Sequence, residues 1–139
     1  MWYMETQYML VIFAAVAQFV LGAVWYSPVL FGNTWMRIME TTHFSKEELQ
    51  KMQKAMGPFY ILQFFLTLFS TFALVNLAAV TPFSLYHIAF WVWLGFIVPT
   101  QIGGVIWGNT KKQYWLKQIL IMVTYQLLGI MLGAFIVSM

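Results

Sequence analysis

The side chains of this sequence that could do chemistry are neutral polar groups placed inside long apolar stretches. A glutamine amide that faced lipid would lack hydrogen-bond partners, at a cost of several kcal/mol, so we expect these groups to point into the protein. They either join helices by hydrogen bonds or line a binding cavity, and both alternatives remain open. Those near the middle of a stretch are Gln18, Ser70, Thr71, Tyr125 and Gln126, and those nearer one end are Tyr26, Ser27, Gln63, Gln101 and Gln118.

Two prolines, Pro28 and Pro99, interrupt these stretches. Each lacks an amide donor and clashes with the carbonyl four residues earlier, which predicts a kink at both positions. Beside Pro28 stand two aromatic residues and a serine that suit a lipid headgroup, an amphipathic ligand or a neighbouring helix. An ordinary aromatic belt at the membrane surface is the alternative for this segment. The predicted ligand- or partner-binding residues are Trp25, Tyr26, Ser27, Gln63, Gln101 and Tyr125.

The sequence contains no recognisable catalytic constellation. It has no cysteine and no aspartate, and its two histidines, His43 and His87, stand in different segments. Disulfides, thiolate metal sites and cysteine nucleophiles are therefore excluded, and each histidine is expected to be a separate interfacial residue. No charged residue stands near the middle of an apolar stretch, which argues against an ion-coupled pump. We expect no enzymatic activity, no metal, no cofactor and no nucleic-acid partner.

The composition predicts that these residues are positioned by membrane-spanning helices. Of the 139 residues, 62% are hydrophobic and only 8% charged, whereas a soluble domain carries about a quarter charged residues. Stretches of roughly 20 apolar residues, enough to cross a bilayer as a helix, occur at about 8–31, 59–80, 83–107 and 113–137. We predict an all-α fold, a polytopic membrane four-helix bundle that forms a single domain over residues 1–139.

The basic residues predict the orientation of the bundle. All of them fall in the 33–57 connection or around the third connection, and none near the termini or the second connection. The positive-inside rule therefore places both basic connections in the cytoplasm and both termini outside. Within 33–57, a capping box of Ser45 and Glu48 predicts a short amphipathic helix, either lying on the membrane surface or solvated. Thr81 followed by Pro82 predicts a helix start after a tight hairpin.

Glycines mark where helices are expected to pack closely or to end. Gly104 with Gly108, and Gly129 with Gly133, are Gly-x-x-x-Gly pairs, which let helix backbones approach each other. Packing within one bundle is favoured over a homodimer seam, because a single bundle already needs close contacts. A Gly-Asn pair after the first span, at Gly32, and another after the third predict left-handed helix stops.

The chain resembles the family of small bacterial membrane proteins catalogued as domain of unknown function (DUF) 1761. The resemblance covers nearly the whole chain, although family members often have Asn where Gln18 stands and a basic residue with Pro-Trp in place of 111–115. It implies a four-helix membrane architecture in a bacterial inner membrane and supplies no established activity. The matching residues are segment 22–35 with Trp25-Tyr26-Ser27-Pro28, Gly57, Tyr60, segment 95–100, Tyr125 and Gly133.

Three classes of function are compatible with these residues. A non-enzymatic binding or accessory protein, as a binder of membrane lipids or amphiphiles or a subunit of a larger membrane complex, is favoured. The alternative is a small carrier or channel for a neutral or amphipathic solute, and an intramembrane enzyme is the third. A cavity between Tyr26, Gln63, Gln101 and Tyr125 would favour transport, whereas a packed core would favour the accessory role. The identity of a ligand and the oligomeric state, including a homo-oligomer, are left open.

Overall fold

This computed structural model describes the backbone of residues 2–139 and the side chains from Gln7 onward. The predicted all-α fold is confirmed, with six helices in this part of the chain. Four of them, α1, α4, α5 and α6, are long and apolar enough to cross a membrane, which indicates an integral membrane protein. The helices are α1 Trp2–Trp25, α2 Gly32–Ile38, α3 Lys46–Ala55, α4 Gly57–Ala79, α5 Leu85–Ile106 and α6 Trp115–Val137.

The first long helix is shorter than the sequence indicates. It ends at Trp25 rather than at residue 31, and a turn leads into α2. The reason is Pro28, which disfavours helical geometry in the preceding residue and so ends the helix instead of kinking it. Gly32 is not a left-handed stop, because it opens α2 and no glycine of the described chain has a positive φ.

The connections between the long helices follow local capping rules. The predicted capping box begins α3: Glu48 N donates to Ser45 Oγ at 3.2 Å, and Ser45 N donates to the Glu48 carboxylate at 3.3 Å. The helix after the second connection starts later than predicted. Its N-cap is Ser84 rather than Thr81, with the Ser84 hydroxyl accepting a hydrogen bond from His87 N at 3.2 Å.

The long helices pack around α6, which contacts α1, α4 and α5. We call the end of the bundle with the α4–α5 connection, 80–84, the hairpin end, and the opposite end, with connections 26–56 and 107–114, the connector end. At the hairpin end, α4, α5 and α6 meet in a buried apolar core of Leu74, Ile88, Ala89 and Ala134. Further toward the connector end, α5 packs chiefly against α6.

A π-turn, Trp93–Ile97, lies in the middle of α5 and ends two residues before Pro99. At its end the Val98 amide donates to the Trp93 carbonyl, five residues earlier instead of four. A proline ring clashes with the carbonyl four residues before it, and a wider turn relieves that conflict. The Trp93 indole nitrogen also donates to the Val123 carbonyl at 2.8 Å, so α6 holds the widened turn in place.

Candidate functional site

An aromatic cluster fills the connector end between α1 and α6. Its centre is Trp25, whose ring lies 4.6 Å from that of Phe31 and 6.5 Å from that of Tyr125, measured between centroids. The Tyr26 ring packs edge-on against Tyr125 at 5.6 Å and against Trp35 at 5.0 Å. The side chains of Trp25 and Tyr26 therefore pack against the bundle and the following turn, unlike a belt that points into lipid. Ile38, Tyr114 and Ile121 complete the cluster.

Hydrogen bonds tie this aromatic cluster to α6. The indole nitrogen of Trp25, which is 9% exposed, donates to the Ile121 carbonyl at 3.0 Å. The Tyr125 hydroxyl reaches back to α1 and donates to the Gln18 carbonyl at 3.3 Å. This reach requires a glycine at 22, because a Cβ at that position would lie 2.7 Å from the Tyr125 hydroxyl. The cluster is thus a packed joint between the two helices.

The turn after α1 closes the cluster. Pro28 leaves the Val24 carbonyl without its helical partner, and the Ser27 hydroxyl donates to that carbonyl at 2.7 Å. The Gly32 amide then donates to the Ser27 carbonyl at 2.8 Å. A Cβ on Gly32 would lie within 2.7 Å of backbone atoms of Tyr26 and Ser27, so this glycine serves close approach of two backbone segments.

A groove of about 420 Å³ runs between α4, α5 and α6, with Gln18 of α1 at its floor. Apolar side chains form most of its walls, including Phe96, which is 72% exposed. The neutral polar residues along it are Gln18, Ser70, Thr71, Thr100, Gln101 and Gln126. None of the described residues that line the groove is charged. On α5 and α6 the core residues Ile88, Ala89 and Ala134 lie on the hairpin side of the groove, and the groove is open at the side, where Ser70, Phe96 and Thr100 are exposed.

The polar residues of the groove fall into two groups according to their hydrogen bonds. Gln18 and Thr71 are used by the fold: Gln18 Nε2 donates to Thr71 Oγ1 at 2.9 Å and to the Ala14 carbonyl at 3.2 Å. Gln101 and Gln126 are half-buried, and the hydrogen bonds of the described residues include none to their side chains. These two amides leave donors and acceptors directed at the groove or its margin.

The predicted binding residues do not form one site. Trp25, Tyr26 and Tyr125 meet in the aromatic cluster, with Ser27 beside it, whereas Gln101 lines the groove. Gln63 joins neither: it is exposed on α4, and its amide donates to Thr67 Oγ1 one turn away at 3.3 Å. The groove is lined by Gln101 but not by Tyr26, Gln63 or Tyr125, and two further cavities of the described chain are lined by none of the four.

The two glycine pairs behave differently. Gly129 and Gly133 are buried against α1, where a Cβ on Gly133 would lie 2.7 Å from Gln18 Nε2. Gly104 is exposed, and a Cβ there would meet nothing within 4 Å, so it takes no part in close packing within the bundle. Gly108 follows the end of α5, where a Cβ would lie 2.8 Å from the carbonyl oxygen of Gly104. The second pair therefore lies where α6 approaches α1 closely, whereas Gly104 lies at no such contact within the bundle.

Sequence reasoning left Gln18 and Gln126 out of the predicted binding residues, although it recognised both as polar groups near mid-depth. Ala14, Gln18 and Gly22 stand four residues apart on one face of α1, and this spacing indicates that Gln18 lies at a helix contact. In the structure that face packs against α6 and α4.

Gln118 is buried, 7% exposed, and its Oε1 has no hydrogen-bond partner. No sequence pattern distinguishes it from the other glutamines.

The described charged residues lie outside the lining of the groove. At the connector end, Lys111 Nζ and the Glu40 carboxylate form an ion pair at 2.6 Å that joins the first and third connections. The hydrogen bond from Lys111 to Glu40, reinforced by the charge of that carboxylate, raises the pKa of the lysine. Both side chains are exposed, so the pair is screened by salt. Among the described residues, no cluster of His, Asp or Glu could hold a metal ion.

Comparison with known protein families identifies a family that covers the chain. The profile of a family described as "Protein of unknown function (DUF1761)" matches residues 9–138, nearly the whole chain. No curated protein and no solved structure gave a significant match. The matched residues include the aromatic cluster, the π-turn and the groove.

Proposed function

The chain belongs to the DUF1761 family, and from that premise we propose that it is a non-enzymatic membrane protein that binds an amphiphile in the groove between α4, α5 and α6. The observation that carries the proposal is the pair of glutamine amides, Gln101 and Gln126, at a laterally open groove with apolar walls. An amide without a partner in hydrocarbon costs several kcal/mol, and a bound molecule with a polar group would offset that cost.

The apolar core toward the hairpin end supports binding rather than passage. A carrier or channel needs a route from one side of the membrane to the other, whereas on α5 and α6 the core residues Ile88, Ala89 and Ala134 lie between the groove and the hairpin end. The aromatic cluster fills the space between α1 and α6 at the connector end. A molecule therefore enters and leaves through the same lateral opening, as suits a binding protein or an accessory subunit of a larger membrane complex.

We further propose that the connector end faces the cytoplasm of a bacterium and that the membrane is its inner membrane. All Lys and Arg residues of the sequence lie in or beside the connections at this end, and the positive-inside rule assigns such connections to the cytoplasm. The inner membrane is the location that the family resemblance implies. With this orientation the lateral opening beside Thr100 and Gln101 lies toward the inner leaflet.

Photo-crosslinking from a single position tests the proposed binding. The sequence has no cysteine, so a benzophenone attached to Ser70→Cys reacts from that single position, at the lateral opening of the groove. Gln63→Cys, exposed two turns away on the same helix and outside the groove lining, is the matched control. We expect Ser70→Cys to capture a defined amphiphile from native membranes in a saturable way and Gln63→Cys to capture only bulk lipid. The same unsaturable mixture of lipids at both positions would refute the proposal.

A further inference from the structure

We propose that the amphiphile has an uncharged head with both hydrogen-bond donors and acceptors, such as a hydroxyl or a primary amide, and that Gln101 and Gln126 recognise it. The inference rests on the proposed binding function and specifies its ligand class. Each glutamine offers an amide nitrogen with two donors and an oxygen with two acceptor sites. A head that both donates and accepts therefore satisfies both groups of one amide.

The depth of the groove at Gln126 disfavours a charged head. Gln126 stands near the middle of the span Lys112–Val137, and Thr71 is well inside Gly57–Ala79. A charge at such a depth is stable only when it is paired or reaches water, and no described lining residue is charged. Both an anionic phosphate head and a cationic ammonium head would thus stand without a counter-charge in the groove.

The walls of the groove are suited to the hydrocarbon part of the same molecule. Val92, Phe96 and Ile97 from α5 face Leu74 and Leu77 from α4. The polar residues lie along the floor and at the margin, so a chain can lie in the apolar part while the head reaches an amide. A second groove, between α1 and α4, is lined almost only by apolar residues such as Phe65 and Phe69, and the polar side chains of Gln7 and Asn76 line a smaller adjoining cavity of about 100 Å³.

Binding measurements with a series of amphiphiles test the ligand class. The reporter is an environment-sensitive fluorophore on Ala73→Cys, which lines the groove, and the same fluorophore on the exposed Ala23→Cys of α1 measures bulk partitioning. The protein is held in phosphatidylcholine nanodiscs and titrated with hexadecanol, hexadecanamide, hexadecyl sulfate and hexadecyltrimethylammonium. We expect saturable responses at Ala73→Cys to the two neutral compounds and about hundredfold weaker responses to the two charged ones.

Glutamine variants then test which residues recognise the head. With the reporter on Ala73→Cys, Gln101→Leu and Gln126→Leu are each expected to weaken hexadecanamide binding about three- to tenfold. Gln63→Leu, a glutamine on the exposed face of α4, is the matched control and should leave binding unchanged. Circular dichroism checks that each variant is folded. The comparison of the four compounds is made with all glutamines unchanged, so it does not depend on the folding of any glutamine variant.

The outcomes separate this inference from the proposed function. A preference for neutral compounds that is lost with Gln101→Leu or Gln126→Leu supports both the ligand class and the proposed binding function. Equal, saturable binding of neutral and charged compounds, or a preference unchanged by both variants, overturns the ligand class or its recognition while the groove remains a binding site. The ligand class and the binding function are both overturned if the reporter on Ala73→Cys responds to no compound. They are equally overturned if it responds only to dimerisation of the protein.

Discussion

Adding a single methyl group at Gly133 should destabilise the bundle, although replacing a helical glycine by alanine ordinarily stabilises. A Cβ at this position would lie 2.7 Å from Gln18 Nε2 and 3.2 Å from its amide carbon, whereas ordinary contact begins at 3.4 Å. The amide must therefore move by about 0.7 Å, which is the difference between 2.7 Å and 3.4 Å. That movement disturbs its 2.9 Å hydrogen bond to Thr71, which joins α1 to α4.

The magnitude follows from three contributions. Losing an interhelical hydrogen bond in a membrane protein costs about 0.6 kcal/mol, and up to about 1.7 kcal/mol. Overpacking destabilises the folded protein by about 1 kcal/mol or more. The reduced conformational freedom of the unfolded chain offsets this by about 0.4–1 kcal/mol. We expect Gly133→Ala to lower the free energy of unfolding by about 1 kcal/mol. Gly129→Ala is the matched control: its Cβ would lie 3.8 Å from Gln18 Oε1, so only the stabilising contribution remains.

The assay is reversible unfolding by sodium dodecyl sulfate in mixed micelles, followed by circular dichroism, for a double-mutant cycle with Gln18→Ala. When the Gln18 amide is absent, Gly133→Ala should become neutral or stabilising. The reasoning is refuted if both glycine variants shift stability in the same direction and by the same amount. It is equally refuted if Gln18→Ala leaves the effect of Gly133→Ala unchanged.

Three further predictions concern other parts of the bundle. Trp25→Phe removes a buried indole hydrogen bond to α6 and should lower the free energy of unfolding by about 1 kcal/mol in the same assay. The control is Trp107→Phe, at a residue 89% exposed, which should change that free energy by no more than about 0.5 kcal/mol. Gln118→Met replaces a buried oxygen that has no partner and should raise stability by about 1 kcal/mol; a loss of stability would mean that this oxygen is satisfied in the membrane. Cysteines at Gln53 and Thr81 should react with an impermeant maleimide from opposite sides of intact cells, and reaction from the same side would contradict the four-span topology.

The parts of the fold that sequence reasoning predicted are those fixed by local chemistry. A run of apolar residues long enough to cross a bilayer is readable because lipid leaves the backbone no alternative to a helix. The capping box of Ser45 and Glu48 depends only on residues three apart, and it is present as predicted. The hydrogen bond from the Ser27 hydroxyl to the Val24 carbonyl is likewise local, because Pro28 lacks the amide that would otherwise donate to that carbonyl.

What the sequence could not provide is the rotation of each helix about its own axis. The long helices are apolar on every side, so no stripe indicates which face of α4 turns inward, and Gln63 was expected to face the interior but is exposed. The π-turn adds a further uncertainty, since it changes the direction of every side chain that follows it in α5. Whether Gln101 lies beside Tyr125 or in the groove depends on that rotation.

The π-turn gives α5 one more residue than a regular α-helix would place in the same turn, and so it acts as a single-residue insertion. Each residue of an α-helix turns the chain by about 100°. Deleting one residue within Trp93–Ile97 would restore a regular helix and leave Thr100 and Gln101 on the groove side. Keeping all five residues but forcing them into regular helix would instead rotate Thr100 and Gln101 by about that angle, away from the groove. The loss of one codon in this segment would thus preserve the groove-lining face of half a helix, whereas substitutions that regularise the turn would exchange that face without altering any of the residues that form it.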